Sequence, residues 1–279
     1  MSEIINIGPL PFYQRKSGQH RFKDYAFGNI APLASPTGVM PSFQFIYKLD
    51  KSTEVSEIRL AGFEIYKINA FGKDERIGWP GIGDIVFFIT IVNRPDCIII
   101  YTLPTFHKVV WASLETGYYF LRLFLRNNAG ESYEVYSEVF ASCNTNNHIH
   151  LQYTNNYNFK IQDYPIYFES FIGDIYLDTK LGRPEYIFEE EVTERLGYSF
   201  IESQVSKKVY KFVFLAPEFL LDALRIVRLC NTKICYFEDK HYDMLTFNMN
   251  PSWEEQGDLA SVEAEFETDN IITNLGGDE

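Results

Sequence analysis

The sequence predicts a mainly β protein: two β-sandwich-like domains, the second flanked by one amphipathic helix, behind an extended N-terminal arm. Three observations lead there. Aromatic residues make up 16% of the chain, with 24 Phe and 19 Tyr, and such rings favour the half-buried surface of a strand. Short stretches of alternating apolar and polar residues recur between Gly, Pro and Asn turns. One stretch, 217–230, carries apolar residues at helical spacing. At about 150 residues per domain, a chain of 279 residues fits two domains.

Residues 1–39 read as the arm. Gly8, Pro9, Pro11, Gly18, Gly28, Pro32, Pro36 and Gly38 interrupt them, and no period persists. Phe12, Tyr13, Phe22, Tyr25 and Phe27 are too many aromatics for a solvated tail, so the arm is expected to be pinned to its own domain or to a neighbouring subunit. Arg15, Lys16, His20, Arg21 and Lys23 make it the one basic segment of an acidic chain. Two readings stay open: a solvated surface segment, or an assembly arm that docks on acidic faces.

Residues 40–143 form the first domain. Strands are expected at 42–49, 57–60 and 63–69, with Gly62 as a bend, then at 85–92 and 97–101 as a hairpin around Asn93-Arg94-Pro95-Asp96. Over 118–126, Tyr119, Leu121, Leu123 and Leu125 face one way, Arg122 and Arg126 the other. After the turn Asn127-Asn128-Ala129-Gly130, residues 133–140 place Glu134 and Glu138 on one face. Arg–Glu pairs across this hairpin would be worth roughly 0.2–1 kcal/mol each. The run from Gly117 through Asn128-Ala129-Gly130 to Val139 resembles the last two strands of a fibronectin type III domain.

The polar run Asn144-Thr145-Asn146-Asn147 is the best linker, and 148–279 the second domain. Strands are expected at 166–171, 174–177 and 185–188, while 189–197 reads as an exposed loop or frayed helical turn. Residues 208–215 alternate, with Tyr210, Phe212 and Phe214 on one face and Val209, Val213 and Leu215 on the other. Pro217 then opens the helix at its first position, where the missing N–H is not needed. Phe219, Leu220, Ala223, Leu224 and Val227 form its apolar face, and Asn231 can close it. Residues 233–237 and 241–247 read as a hairpin. Along 259–268, Ala260, Val262, Ala264 and Phe266 oppose Glu263, Glu265 and Glu267.

The formal net charge of −13 argues against a nucleic-acid surface and against an anionic membrane as partner. Four cysteines are too few for a disulfide framework, so they read as buried hydrophobes in a reduced compartment. No signal peptide or bilayer-length apolar run is expected. The acidic stripe Glu263, Glu265, Glu267 reads as a solvated face or a face for a basic partner; general acid–base catalysis needs a buried carboxyl instead. Cys230-x4-Cys235 with His241 departs from zinc-module spacing, and His148-x-His150 lacks a third ligand, so no metal is expected. Gly78-x-x-Gly81-x-Gly83 precedes a strand rather than a helix, so it is no dinucleotide loop, and no cofactor is expected. Trp79, Trp111 and Trp253 read as packing residues, with stacking on sugar rings as the alternative.

Several blocks in the second half carry a family resemblance. They are Asp174-Ile175-Tyr176-Leu177-Asp178, Pro184-Glu185-Tyr186, the segment from Lys211 to Leu220, the segment from Pro251 to Ala260 and the segment from Val262 to Asp269. In this order they resemble a family of virion and prophage tail structural proteins from phages of gut Bacteroidales, the crAss-like phages and their relatives. The resemblance implies a non-enzymatic protein of the tail, tail hub or fibre adaptor, synthesised in the host cytoplasm and housed in the virion. A strand-rich domain beside one helix is also similar in outline to the tail-tube and distal-tail fold. Expected partners are other tail proteins and further copies in a cyclic homo-oligomer. Candidate assembly contacts are Arg15, Lys16, Arg21 and Lys23 on the arm and Glu263, Glu265 and Glu267 on the stripe. The alternative is an adhesion module for host-surface glycan.

Overall fold

The computed structural model describes residues 3–6, 8–13, 33–43, 45–50, 58–69, 74–78, 89–93, 97–102, 114–127, 132–155, 159–161, 164–166, 172–254, 259–268 and 271–274. Its first half contains Glu3–Asn6 (β1), Phe12–Tyr13 (β2), Leu33–Pro36 (β3), Phe45–Asp50 (β4), Ile58–Ile68 (β5), Asp74–Gly78 (β6), Ile89–Asn93 (β7), Cys97–Thr102 (β8), Gly117–Asn127 (β9), Ser132–Ser137 (β10) and Phe140–Cys143 (β11). Its second half contains Ile149–Thr154 (β12), Phe159–Ile161 (β13), Tyr164–Ile166 (β14), Gly173–Leu177 (β15), Glu185–Arg195 (β16), Tyr198–Ala216 (β17), the helix Glu218–Leu229 (α1), Thr232–Phe237 (β18), Lys240–Asp243 (β19), Thr246–Trp253 (β20), Ala260–Glu267 (β21) and Ile271–Asn274 (β22). The protein is mainly β, with a single helix among the described residues. That helix is not long and apolar enough to cross a membrane.

Strands β1-β4-β8-β7 form a four-stranded sheet, and β13 pairs β14 alone. The largest sheet runs β19-β18-β12-β15-β3-β11-β9-β10-β2, with β5 on the other edge of β9 and β6 beyond it. The third main sheet runs β16-β17-β21-β20, with β22 also on β17. Residues expected to form an arm therefore supply three strands. Leu10, Phe12 and Leu33 are buried in the core, and Phe12 packs its ring against Phe43 and Phe45 at centroid distances of 5.2 and 4.4 Å. An apolar segment next to a hydrophobic core gains more by burial than by staying extended in water.

β3 sits between the two halves of the chain. It pairs in parallel with β11 and meets β15 through the pair Tyr176↔Ala34. The run 144–147 does turn the chain, with His148 N–H donating to the Thr145 carbonyl, but it connects strands of one continuous sheet. One core cluster extends from Leu10 and Phe45 through Leu121 and Ile175 to Leu224 and Phe266. Buried residues of both halves thus belong to one cluster.

Several expected boundaries shift for local reasons. β5 is one strand, with a register irregularity near Ile58 instead of a bend at Gly62. β10 and β11 follow each other along the same edge of β9, and their register slips by one residue at Glu138-Val139. Ser137 holds this bulge together: its hydroxyl accepts from Leu121 N–H and donates to the Glu138 carbonyl, at 2.8 and 2.7 Å. Glu138 is buried at the slip, off the face where Glu134 stands. Arg122 does meet Glu134, and it also binds the buried Glu64 at 3.0 Å. Tyr66 and Tyr136 donate to Glu64 and Glu134, closing a four-residue polar cluster around the guanidinium.

In the third sheet, Tyr210, Phe212, Phe214 and Ala216 on β17 lie opposite Phe266, Ala264, Val262 and Ala260 on β21, and all are buried. Pro217 stands at the helix N-cap, one position earlier than expected, with φ −72° and ψ 161°. The buried face of α1 comprises Leu220, Leu221, Ala223, Leu224 and Val227. Leu221 takes the place expected for Phe219, which is only half-buried. The helix ends at Cys230, and the buried Lys233 donates to the Cys230 carbonyl at 2.6 Å. A cation at the negative end of the helix does the work expected of Asn231. The expected 233–247 hairpin divides. β18 pairs β19, whereas β20 joins the third sheet.

Two predictions follow from this packing. At Gly173 an added Cβ would lie 2.1 Å from the Tyr153 ring, so Gly173→Ala is expected to destabilise by about 1–3 kcal/mol in chemical denaturation. Burial pushes the Glu134 carboxyl up, but hydrogen bonds from Tyr136 and Arg122 outweigh it and hold it below its ordinary value. Its contribution to stability is therefore present above the ordinary carboxylate range and lost as pH falls through the lowered folded value. Glu134→Gln should flatten that acid limb in denaturation curves collected across pH.

Candidate assembly surfaces

Glu263, Glu265 and Glu267 occupy the solvent side of β21, alternating with its buried residues as expected. Glu263 is exposed, and the other two are half-buried. Across the sheet they face Asn250, Asn248 and Thr246 on β20 and Val213, Lys211 and Val209 on β17. Lys211 on β17 lies beside the stripe, opposite Glu265. Its ammonium donates to Glu185 at 2.7 Å, which chiefly raises its pKa, and Glu265 and Glu263 add to the effect. Val213 and Leu215 stand exposed beside it, so this face mixes acid, amide and apolar groups. Arg15, Lys16, Arg21 and Lys23 lie outside the described residues.

Cys230, Cys235 and His150, set aside as metal ligands on their spacing, lie in packed surroundings. Burial pushes the Cys230 and Cys235 thiols up to about 12, which leaves them protonated and unreactive. His150 Nε2 lies 2.6 Å from Asp174 Oδ1, with its ring stacked between Tyr176 and Tyr236. Among the described residues no group of three or more His, Cys, Asp or Glu is placed to hold a metal ion. Trp253 ends β20 and is 47% exposed, whereas Trp79 and Trp111 lie outside the described residues.

Among the described residues an exposed apolar surface lies elsewhere, over 185–201, of which 185–188 were expected as a strand and 189–197 as a loop or helical turn. β16 and β17 form a long ribbon, paired from Glu185↔Val209 to Arg195↔Tyr198, with β22 on the other edge of β17 at Ser203–Ser206. Tyr186 and Phe188, at 58% and 57% exposure, point to the same side of the sheet as the core residue Tyr210, beyond the area that the core covers. Ile187 and the ion pairs Glu185–Lys211 and Glu189–Lys207 occupy the other side. At the end, Leu196 and Gly197 have φ of 54° and 81°, the positive values that a two-residue type I′ turn requires. Leu196 is 99% exposed and Tyr198 71%. A leucine in the left-handed region costs roughly 1 kcal/mol, and here it recovers none of that by burial.

A second concave feature borders the helix. A cleft of about 690 Å³ opens between α1, β20 and the segment from Asn6 to Tyr13, with Phe219, Ile226, Leu229 and Met249 in its wall. Asp222, Arg225 and Arg228 line the same cleft, and Arg225 donates to Asp222 at 3.2 Å. A scan against protein-family models gives no match, and no curated protein matches the chain.

Because the stripe is solvated on a sheet whose core faces the other way, replacing Glu263, Glu265 and Glu267 together by Gln should change folding stability by no more than about 0.5 kcal/mol per site. Thermal denaturation of the triple variant measures this, and a loss of several kcal/mol would show that the acids hold the fold.

Proposed function

We propose that this chain is a non-enzymatic structural protein of a phage virion, in the tail, tail hub or fibre adaptor, working as a cyclic homo-oligomer in contact with other tail proteins. The observation that carries the assembly part is the β16–β17 ribbon, with Tyr186, Ile187, Phe188, Val192, Leu196 and Tyr198 all exposed. A large exposed apolar patch marks a surface that another molecule covers. The resemblance of the 174–269 blocks to tail proteins supplies the virion setting, and the acidic surface supports protein partners over nucleic acid. In this reading the basic residues Arg15, Lys16, Arg21 and Lys23 of one copy meet the Glu263, Glu265 and Glu267 face of another, and the protein resides in the virion.

Mass spectrometry of purified particles tests the setting: the chain should be present in stoichiometric amounts, and its absence would overturn the reading. Oligomerisation is checked by light scattering of the purified chain, which should exceed the monomer mass at high concentration. A glycan-array signal that depends on the exposed Trp253 would instead support the adhesion alternative.

A further inference from the structure

We propose that the tip of the β16–β17 ribbon of one copy docks in the cleft beside α1 of a second copy, which makes the self-contact head-to-tail. The inference rests on the reading of the chain as an assembling protein and goes further by naming both surfaces.

The tip has a chemistry that solvent alone does not explain. Leu196 occupies a turn position where Asn before Gly197 would satisfy the positive φ without a bulky side chain in water. It is unfavourable in conformation and in exposure at once, and burial in a partner relieves the second penalty. Tyr198 pairs with Arg195 directly behind it and is 71% exposed, and Val192 and Ile201, paired further down the ribbon, are 50% and 37% exposed. Glu191, Glu194 and Arg195 border the tip, so its border is charged with a net negative balance.

The cleft is the complement in shape and in charge. Phe219, Ile226, Leu229 and Met249 make its wall apolar, and Leu229 is 66% exposed. Arg225 and Arg228 against Asp222 leave its border with a net positive charge. An apolar tip with a net negative border and an apolar cleft with a net positive one suit each other more than either suits itself.

Reach makes the contact intermolecular. β17 runs from Tyr198 to Ala216, and α1 begins two residues later. At about 3.3 Å per residue, a straight strand of this length puts the tip roughly 60 Å from the start of α1. A helix of 12 residues spans only about 18 Å, so even its far end stays some 40 Å short of the tip of its own chain. Two different surfaces that cannot meet within one chain form a heterologous contact, which closes into a ring or propagates as a filament.

Sedimentation velocity of the full chain and of two variants tests the proposal. Leu196→Asn removes the apolar tip while installing the preferred Asn-Gly turn, so it should fold with unchanged or higher thermal stability yet self-associate at least tenfold more weakly, about 1.4 kcal/mol. Leu229→Asp spoils the cleft at an exposed position and should weaken self-association by a similar factor. Mixed together, the two variants keep one intact tip and one intact cleft, and should form dimers that grow no further. A monomeric wild type, wild-type assembly by Leu196→Asn, or a mixture that stays monomeric would each overturn the tip-to-cleft contact. Absence from particles would count against the virion setting alone, since these solution measurements do not depend on it.

Discussion

Everything in the third sheet depends on the register of β17 against β21. Tyr210, Phe212 and Phe214 lie opposite Phe266, Ala264 and Val262 on the core side, and a slip of one residue would put the whole set into solvent. The same register fixes three features on the other side or at the ends. It puts Glu263 and Glu265 outward beside Lys211 and Val213, and it brings β17 to Ala216 at the point where Pro217 starts α1. It also leaves the first part of β17 without a core beneath it. The single 19-residue strand is therefore a core element at one end and a projecting ribbon at the other.

A second constraint joins this unit to the rest. β3 lies between β11 and β15, so a short N-terminal segment completes the sheet that links the two halves. Close contact there leaves little room for larger side chains: the Tyr153 ring lies over Gly173 on the neighbouring strand. On the β5–β9–β10 side, the polar cluster around Arg122 sits partly buried, where Glu64 and Glu134 both serve one guanidinium. Such a cluster holds the register of three strands more than it adds to overall stability, because desolvation offsets much of the charge attraction.

The candidate surfaces were legible in the sequence to very different degrees. The acidic stripe was visible because period-two alternation separates Glu263, Glu265 and Glu267 from Val262, Ala264 and Phe266 without reference to any other strand. The ribbon was not. The run Glu189-Glu190-Glu191 followed by Val192 and Thr193 has no clean alternation, and its bulge after Glu191 shifts what periodicity there is. The signal that marks it is Leu196-Gly197 between two stretches of matching length, and it has meaning only once Arg195 and Tyr198 are known to pair. The cleft was beyond reach of periodicity altogether, since it brings Tyr13 near Met249 and Leu229.

The sequence by itself determined the β class, the helix over 217–230 and the sidedness of its best alternating strands, because each depends on residues within a few positions of one another. Tertiary structure alone decided that the expected arm is woven into the core and that the two halves share it. It decided that Lys233 rather than Asn231 closes the helix, and that 185–206 projects as an apolar ribbon. These outcomes turn on which distant segment covers a given face, and a local pattern records that a face is apolar without recording what lies against it.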